Sequence, residues 1–426
     1  MVKVYGEFYG CSANKADHEI MLGLLKKSGF KTVGSPKEAD INLITTCAVK
    51  SPTVARMIFR SRELTKVNRP LIVAGCLSKI DKERKLVEKI NPKASFIGPD
   101  AITDIVDVAY ATLNGEKVLS LERLNEEKVS LPHLRTTPII DIVEISSGCI
   151  SNCSFCATKL ARGDLHSYRP HAIREQIKDG IKDGCKEFWL ASQDSSAYGR
   201  DIDTSLPELL ESVTRLEGRF FIRVGMMNPL HFKKVEIRDL IEAFKNEKIY
   251  KFLHLCVQSG SNKVLKIMRR GYTVEGFISY VELFRKEIPE LALATDIIVG
   301  HPGEEDVDFE KTIQLIEKIR PDIVNISKFG KRPGTHAEKM IEVPRTVVDE
   351  RSRELSKLVR KISYERNKKW VGWKGKVLVN IKNNGTMIGS NYAYKPVLIN
   401  GPVKLGEFLD IRITGAKRNL LIGECL

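Results

Sequence analysis

The sequence predicts an α/β chain in three parts: a parallel-sheet unit, a larger β/α barrel, partial or full, and a small closed β-barrel. Three observations carry this. Residues 1–115 alternate short apolar strands with helix-spaced segments, residues 139–365 repeat the alternation at greater length, and residues 370–426 turn to pure β patterning. Strands alternating with helices give a parallel sheet covered on its faces. Five short strands in about 55 residues suggest closure into a barrel. A chain of 426 residues suits two to three domains. The boundaries are set at 1–115, a linker at 116–136, a core at 137–366 and a terminal unit at 367–426.

Taken in order, Lys3–Phe8 reads as a strand and Asp17–Lys27 as a helix, with Ile20, Met21, Leu24 and Leu25 at helical spacing. Asp40–Thr45 is an apolar strand, Val54–Leu64 a helix and Leu71–Ala74 a strand. Asp81–Ile90 and Ala101–Leu113 read as helices. The linker is polar and has no sustained period. Pro132 and Pro138 bracket the next strand, Ile139–Ile145.

Further strands are predicted at Phe188–Ala191, Phe220–Val224, Phe252–Val257, Ala294–Val299 and Ile323–Ser327. Helices fall between them at Leu206–Arg215, Ile237–Lys245, Lys263–Met268, Val274–Arg285 and Asp306–Ile319. Six such units suit a partial or a full β/α barrel, and periodicity does not choose between them. In the last part, Lys376–Ile381 and Met387–Ala393 flank Asn383-Asn384-Gly385, a hairpin-turn signal. Tyr394–Ile399, Glu407–Thr414 and Asn419–Glu424 complete five strands.

The net charge of +15 favours polyanions, whether nucleic acid, acidic lipid or acidic protein. The plain alternative is a solvated, Lys-rich surface. No apolar run approaches the ~18 residues a membrane span needs. The opening residues MVKVYGEFYGC enter a strand pattern without an apolar leader. A cytoplasmic protein that leaves the membrane alone is expected. Structural disulfides are rare there, so nine cysteines point to metal or redox chemistry if their spacing agrees.

The sharpest signal is Cys149, Cys153 and Cys156, a C-x3-C-x2-C run directly after a predicted strand. A 4Fe-4S cluster takes one thiolate per iron, so three ligands leave one iron open. That iron can chelate the amino and carboxylate groups of S-adenosylmethionine and deliver an electron to its sulfonium. The alternative is zinc, which favours four ligands in two pairs. The run is the signature of radical S-adenosylmethionine enzymes, and barrel chemistry sits where this run stands, at C-terminal strand ends.

Cys11, Cys47 and Cys76 lie far apart in sequence, yet each follows a predicted strand, in YGC, TTC and AGC contexts. Loops at one edge of a parallel sheet form its ligand crevice, so the three thiols could meet. Placement leaves two readings open: a second cluster with a free iron, or three buried structural cysteines. Cys185, Cys256 and Cys425 show no grouping.

Together these features resemble the methylthiotransferase family across essentially the whole chain. The stretches Gly10-Cys11-Ser12-Ala13-Asn14, Thr46-Cys47-Ala48-Val49, Cys156-Ala157-Thr158-Lys159 and Ala161-Arg162-Gly163 are similar to its archaeal and eukaryotic branch. Tyr198-Gly199-Arg200-Asp201 and Met226-Met227-Asn228-Pro229 agree. The resemblance implies a flavodoxin-like N-terminal domain, a radical S-adenosylmethionine core built as a partial barrel, and an OB-like TRAM domain. It implies two 4Fe-4S clusters, the auxiliary one on Cys11, Cys47 and Cys76. It further implies conversion of N6-threonylcarbamoyladenosine beside the tRNA anticodon to its 2-methylthio derivative. Isopentenyladenosine in tRNA or a ribosomal-protein aspartate is the alternative substrate. The partners implied are tRNA, an external electron donor and a sulfur source, with no DNA and no membrane.

Some positions depart from the family's pattern. Relatives commonly have Phe at His301 and often Pro at Cys256, and neither residue is given a role. Where many radical enzymes hold the methionine amino group with Gly-Gly-Glu, this chain has Ser192-Gln193-Asp194. These three, with Phe155 and Gly300, are the expected cofactor contacts. The basic segment Lys357–Lys376 interleaves Tyr364, Trp370 and Trp373 with cations. Arg360, Lys361, Arg366, Lys368, Lys369 and Lys374 are the expected RNA contacts, with phosphates on the charges and bases on the aromatics. An amphipathic helix with a solvated face is the alternative. An exposed loop suits the target, because the reacting adenine must leave its stack at a cost of roughly a few kcal/mol. A cobalamin-dependent radical methyltransferase is a rival, but its D-x-H-x-x-G ligand pattern is absent. A non-catalytic RNA-binding protein with structural metal sites is another.

Overall fold

Residues 1–426 are described by a computed structural model, except 49–50, 123–125, 233–235 and 384. Six parallel strands build the N-terminal unit: Lys3–Phe8 (β1), Lys31–Thr32 (β2), Ile41–Thr46 (β3), Leu71–Gly75 (β4), Ser95–Ile97 (β5) and Leu119–Ser120 (β6). Their order, β2-β1-β3-β4-β5-β6, reverses at β1, as in a flavodoxin-like sheet. Helices Ser12–Lys27 (α1), Ser51–Lys66 (α2), Cys76–Lys79 (α3), Asp81–Ile90 (α4) and Ile105–Leu113 (α5) accompany it. β3 and β4 are buried throughout, as strands between two helix layers must be. Leu43, Ile72 and Ala74 pack on one side with Met21, Leu25 and Ile105. Ile44, Leu71 and Val73 pack on the other with Met57, Leu64 and Val87.

The segment 116–136 is not a free spacer. β6 joins the sheet edge, Leu131 and Leu134 pack on the N-terminal core, and Val129 joins the barrel core. Its polar composition concealed this because Lys128, 3% exposed, is buried against carboxylates rather than solvated.

The second unit contains Ile140–Glu144 (β7), Ser146–Ser147 (β8), His166–Ser167 (β9), Glu187–Ala191 (β10), Phe221–Val224 (β11), Phe252–His254 (β12), Ala292–Val299 (β13) and Ile323–Lys328 (β14). Its helices are Ala157–Arg162 (α6), Pro170–Lys182 (α7), Leu206–Thr214 (α8), Glu236–Lys245 (α9), Asn262–Ile267 (α10), Val274–Glu287 (α11) and Asp306–Ile319 (α12). Two parallel sheets, β11-β10-β7 and β12-β13-β14, are linked by the bridges Ile222↔Ile249 and Met227↔Leu255 into one six-stranded arc. β7 and β14 share no ladder among the described residues, so the barrel is partial. Against the arc sits α1 of the N-terminal unit, with Ala16 packed on Ile142 and Ala191. The antiparallel β8–β9 pair left no sequence pattern, since two-residue strands carry no period.

Arg345–Lys368 (α13) runs from the core into the last unit. There Lys374–Asn383 (β15), Thr386–Asn391 (β16), Pro396–Asn400 (β17), Phe408–Ala416 (β18) and Leu421–Cys425 (β19) close a barrel in the order β15-β16-β17-β19-β18. Val377, Val379, Val397, Ile399, Ile411 and Ile413 alternate into its core. Asn380 donates 2.6 Å to Glu187 of β10 and fastens this barrel to the larger one. The turn expected at 383–385 is joined by antiparallel β15 and β16; Asn384 lies outside the described residues. No helix among the described residues is long and apolar enough to cross a membrane.

Candidate active site

Cys11, Cys47 and Cys76 follow β1, β3 and β4, three adjacent strands of one parallel sheet. Neighbouring strands lie about 4.8 Å apart, so three consecutive strand ends span about 10 Å. The sheet therefore delivers the thiols to one place without any local motif. Asn14, one turn along α1 from Cys11, ties the loops together. Its Nδ2 donates to the carbonyls of Tyr9 (3.0 Å) and Thr46 (2.7 Å), and its Oδ1 accepts from Cys76 Sγ at 3.7 Å. Gly10 has φ +121°, and a Cβ there would lie 2.9 Å from Cys47 Cβ, so only glycine permits this approach. Burial pushes the Cys76 thiol up to about 12, with the neighbouring Cys47 and Cys11 adding to the effect.

Cys149, Cys153 and Cys156 occupy the loop between the short strand β8 and α6. Gly148, with φ +76°, precedes the first; a Cβ there would collide with the Asp164 carbonyl. The loop is held from several sides. Cys149 N donates to Gly163 O (3.2 Å), Ser154 N to Met268 O (3.0 Å) and Ala337 N to Ser154 O (2.8 Å). Lys159 Nζ reaches the Cys149 carbonyl at 2.5 Å. Arg270, buried, donates to Cys153 Sγ (3.1 Å), Asn228 Oδ1 (3.0 Å) and the Cys256 carbonyl (3.0 Å). Burial raises Cys149 to about 12, and the nearby Asp194 carboxylate adds to the rise.

Three thiolates suit a cluster that takes one thiolate per iron, whereas structural zinc sites close on four ligands.

α6 connects the two trios. This helix begins just after Cys156, and its Ala161 packs against Ala48, Cys76 and Ile80. Six residues at 1.5 Å each make α6 about 9 Å long. At its end Arg162, 1% exposed, donates to Asp17 (2.5 Å), Glu144 (2.9 Å) and Asn14 Oδ1 (3.0 Å). It also lies beside Cys76 and Cys11. Lys128 completes the group, 2.6 Å from Asp17 and 3.4 Å from Glu144. Arg332, from the loop after β14, stands close to Cys47 and Glu83. Asn14, Arg162 and Arg270 were not singled out as site residues. Asn14 and Arg162 were signalled only by their placement close to Cys11 and Cys156 in sequence, Arg270 by nothing local, since Cys153 is 117 positions from it and Asn14 is 148 from Arg162.

The remaining expected contacts fall as follows. Ser192, Gln193 and Asp194 leave β10 on the side of the central cysteines. Asp194 Oδ1 accepts from Ser196 N (3.1 Å), Ser196 Oγ (2.5 Å) and Asn228 N (3.1 Å). Burial raises the Asp194 carboxyl to about 6. Gln193 Oε1 and Asp194 Oδ2 are buried and accept no hydrogen bond, although His231 Nε2 stands 3.5 Å from the latter. Such orphaned acceptors suit the ammonium of a bound amino acid moiety. Phe155 stacks edge-on to His301, ring centroids 6.1 Å apart, and His301 in turn meets Phe329. His301 is a buried packing residue that burial lowers to about 4. Gly300, φ +75°, packs against Val348 of α13.

Of the cations expected at RNA, Arg360, Lys361, Lys368, Lys369 and Lys374 are exposed. Arg366 is not available in the same way. It turns inward to Asp322, with two 3.0 Å bonds, because that buried carboxylate requires a cation. Trp370 and Trp373 pack on each other and on Tyr392 as part of the terminal barrel, while Tyr364 is exposed. Arg360 also lines a cleft of about 370 Å³ with Lys395 and Arg418.

The chain matches the Radical SAM superfamily over residues 143–316, the uncharacterized protein family UPF0004 over 3–98 and the TRAM domain over 371–426. It is 44% identical to a probable threonylcarbamoyladenosine tRNA methylthiotransferase of Pyrococcus horikoshii, over the whole of both chains. It is 36% identical to the threonylcarbamoyladenosine tRNA methylthiotransferase of Drosophila melanogaster, over all of this chain and 78% of that one. Among solved structures it resembles the radical S-adenosylmethionine methyltransferase TsrM of Kitasatospora setae at a TM-score of 0.58, with 12% identity, over 79% of this chain and 75% of that one. The cobalamin-dependent enzyme OxsB is similar at 0.53, with 14% identity, over 84% and 56%. These two likenesses show a shared fold. Asp17 and His18 do not form the D-x-H-x-x-G pattern of a cobalamin ligand; Asp17 is paired with Lys128 and Arg162, and His18 bonds Thr45 at 2.9 Å.

Proposed function

This chain belongs to the threonylcarbamoyladenosine tRNA methylthiotransferase family, and from that membership we propose that it converts N6-threonylcarbamoyladenosine at tRNA position 37 to the 2-methylthio derivative. It is a radical S-adenosylmethionine enzyme that uses an iron–sulfur cluster. The observation that carries the reading is the pair of cysteine trios, one leading directly into α6 and the other reaching that helix through Cys76, which packs against Ala161.

In this proposal Cys149, Cys153 and Cys156 hold the cluster that binds S-adenosylmethionine, and Cys11, Cys47 and Cys76 hold a second. When bound, the first supplies the electron for reductive cleavage of S-adenosylmethionine, and the second offers an open iron for sulfur. The chain's own residues do the rest. Arg270 neutralises thiolate charge at Cys153 and fixes the loop to Asn228. Asp194 and Gln193 receive the ammonium of the methionine moiety. Asn14 and Arg162 hold the second trio in register with the first. Phe155 closes the loop against His301 and limits water. An external electron donor and a sulfur source complete the reaction, in the cytoplasm. The division at residues 115, 136 and 366 is proposed on the same basis.

The test is modification by the anaerobically reconstituted enzyme of two anticodon stem-loops, one with and one without the threonylcarbamoyl group, read by nucleoside mass spectrometry. The expected result is a 2-methylthio nucleoside from the first alone. Equal product from the stem-loop without the threonylcarbamoyl group, or from a third stem-loop carrying isopentenyladenosine, overturns the substrate assignment.

Exposed cations of α13 and the following turn are proposed to meet phosphates. Each phosphate neutralised contributes about 0.7–0.9 to the slope of log affinity against log salt. Replacing Lys357, Arg360, Lys361 and Lys368 with glutamine is expected to reduce that slope by about 3, measured by filter binding of tRNA. An unchanged slope removes α13 from the interface.

A further inference from the structure

Three side chains inside the partial barrel form a group that the reading above leaves unused. His254, Cys256 and Asp296 offer a ring nitrogen, a thiol sulfur and a carboxylate oxygen, all within 4.8 Å of one another. Cys256 Sγ is 3.0 Å from Asp296 Oδ2, and His254 Nε2 is 3.2 Å from Asp296 Oδ1. From these residues we propose a mononuclear divalent-metal site of zinc type, distinct from both cysteine trios.

The backbone sets the geometry. Leu253, Leu255 and Val257 face the helix-packed core, as do Leu293, Ile297 and Val299 on β13. The alternate residues His254, Cys256 and Asp296 therefore point to the other face of the strands, the barrel interior. Cys256 is pinned on both sides: its N donates to Met227 O (3.0 Å), and its carbonyl accepts from Arg270 (3.0 Å) and Tyr272 (3.0 Å). Asn325 Nδ2 donates to Asp296 Oδ1 at 2.7 Å and orients the carboxylate. An outer partner of this kind is what a metal-ligating carboxylate needs.

The donor set selects the metal. Sulfur, imidazole and carboxylate together suit a borderline cation such as zinc, not magnesium or calcium. Bonds of about 2.0–2.3 Å at tetrahedral angles require ligand separations of about 3.3–3.8 Å. The observed 3.0 and 3.2 Å fall short of these by less than 1 Å, and the metal displaces the thiol proton that now bridges Cys256 and Asp296. Three protein ligands leave a fourth position. The Asp296 side chain is 23% exposed, so that position is reachable from the lumen. The site stands on its own geometry and does not depend on the methylthio reaction.

The test uses the full-length protein with its iron reconstituted, equilibrated with one equivalent of zinc chloride and desalted. Elemental analysis is expected to find about one zinc per chain. Zinc K-edge absorption is expected to show a single sulfur at about 2.3 Å with nitrogen and oxygen at about 2.0–2.1 Å. C256A should lower retained zinc at least tenfold with the iron count unchanged. If C256A loses iron as well, N325A decides, with a 10- to 100-fold loss of zinc affinity expected at full iron content. Zinc that fails to bind, or that shows three or four sulfurs and so sits in a vacated cluster site, overturns the proposal. So does zinc binding that survives both substitutions.

Discussion

Changing Cys76 to serine is expected to abolish the 2-methylthio product while reductive cleavage of S-adenosylmethionine persists. Changing Cys153 to serine is expected to abolish both. The asymmetry follows from placement. Cys76 sits at the end of β4 among the N-terminal loops, bonded to Asn14 and packed against Ala161 of α6. Cys153 lies in the central loop, held by Arg270. Serine keeps the volume of the 3%-exposed Cys76 position, so the sheet should survive. Each variant should lose about four irons per chain, the content of one cluster. Iron and sulfide counting, 5′-deoxyadenosine release and nucleoside mass spectrometry read the three consequences separately. If C76S keeps its iron and makes product, the N-terminal thiols do not hold a cluster. If it loses all iron, the two sites are one cooperative unit and the assignment of separate roles falls.

The sequence made the strands and the central cysteines legible because both are local. β3, β4 and α12 stand almost where their apolar runs lie. The C-x3-C-x2-C run needs no partner from elsewhere to be recognised. The N-terminal trio was legible only in part. That each cysteine followed a strand could be read, but convergence depends on β1, β3 and β4 being neighbours, which is a property of sheet order. Long-range charge pairing was not legible at all. Lys128 falls within the polar linker, yet its carboxylate partners are 111 and 16 positions away. Arg366 looked like an RNA contact, yet Asp322, 44 positions earlier, holds it. Composition reports that a cation is present; only the fold says whether it faces solvent or a buried acid.

Those hidden pairs matter most at Arg162, where substitution by methionine is expected to lower the melting temperature by about 10 °C and to loosen the N-terminal cluster. Asp17 and Glu144 are balanced by Lys128 and Arg162, and all four side chains are at most 3% exposed. Removing one cation leaves a net buried negative charge beside three thiols. Breaking a buried pair from one side costs roughly 3–5 kcal/mol, and in a unit of this size each kcal/mol is worth about 2–4 °C. Lysine keeps the charge but cannot fork to Asp17, Glu144 and Asn14 together, so R162K should fall between wild type and R162M. Charge balance can be restored separately from geometry. In R162M/D17N the remaining Glu144 and Lys128 are matched, and part of the lost stability should return. Calorimetry of the apo and iron-loaded forms distinguishes the two contributions, since the electrostatic one is present without iron. A double variant no more stable than R162M would mean that the hydrogen bonds of Arg162, and not its charge, hold the N-terminal loops against α6.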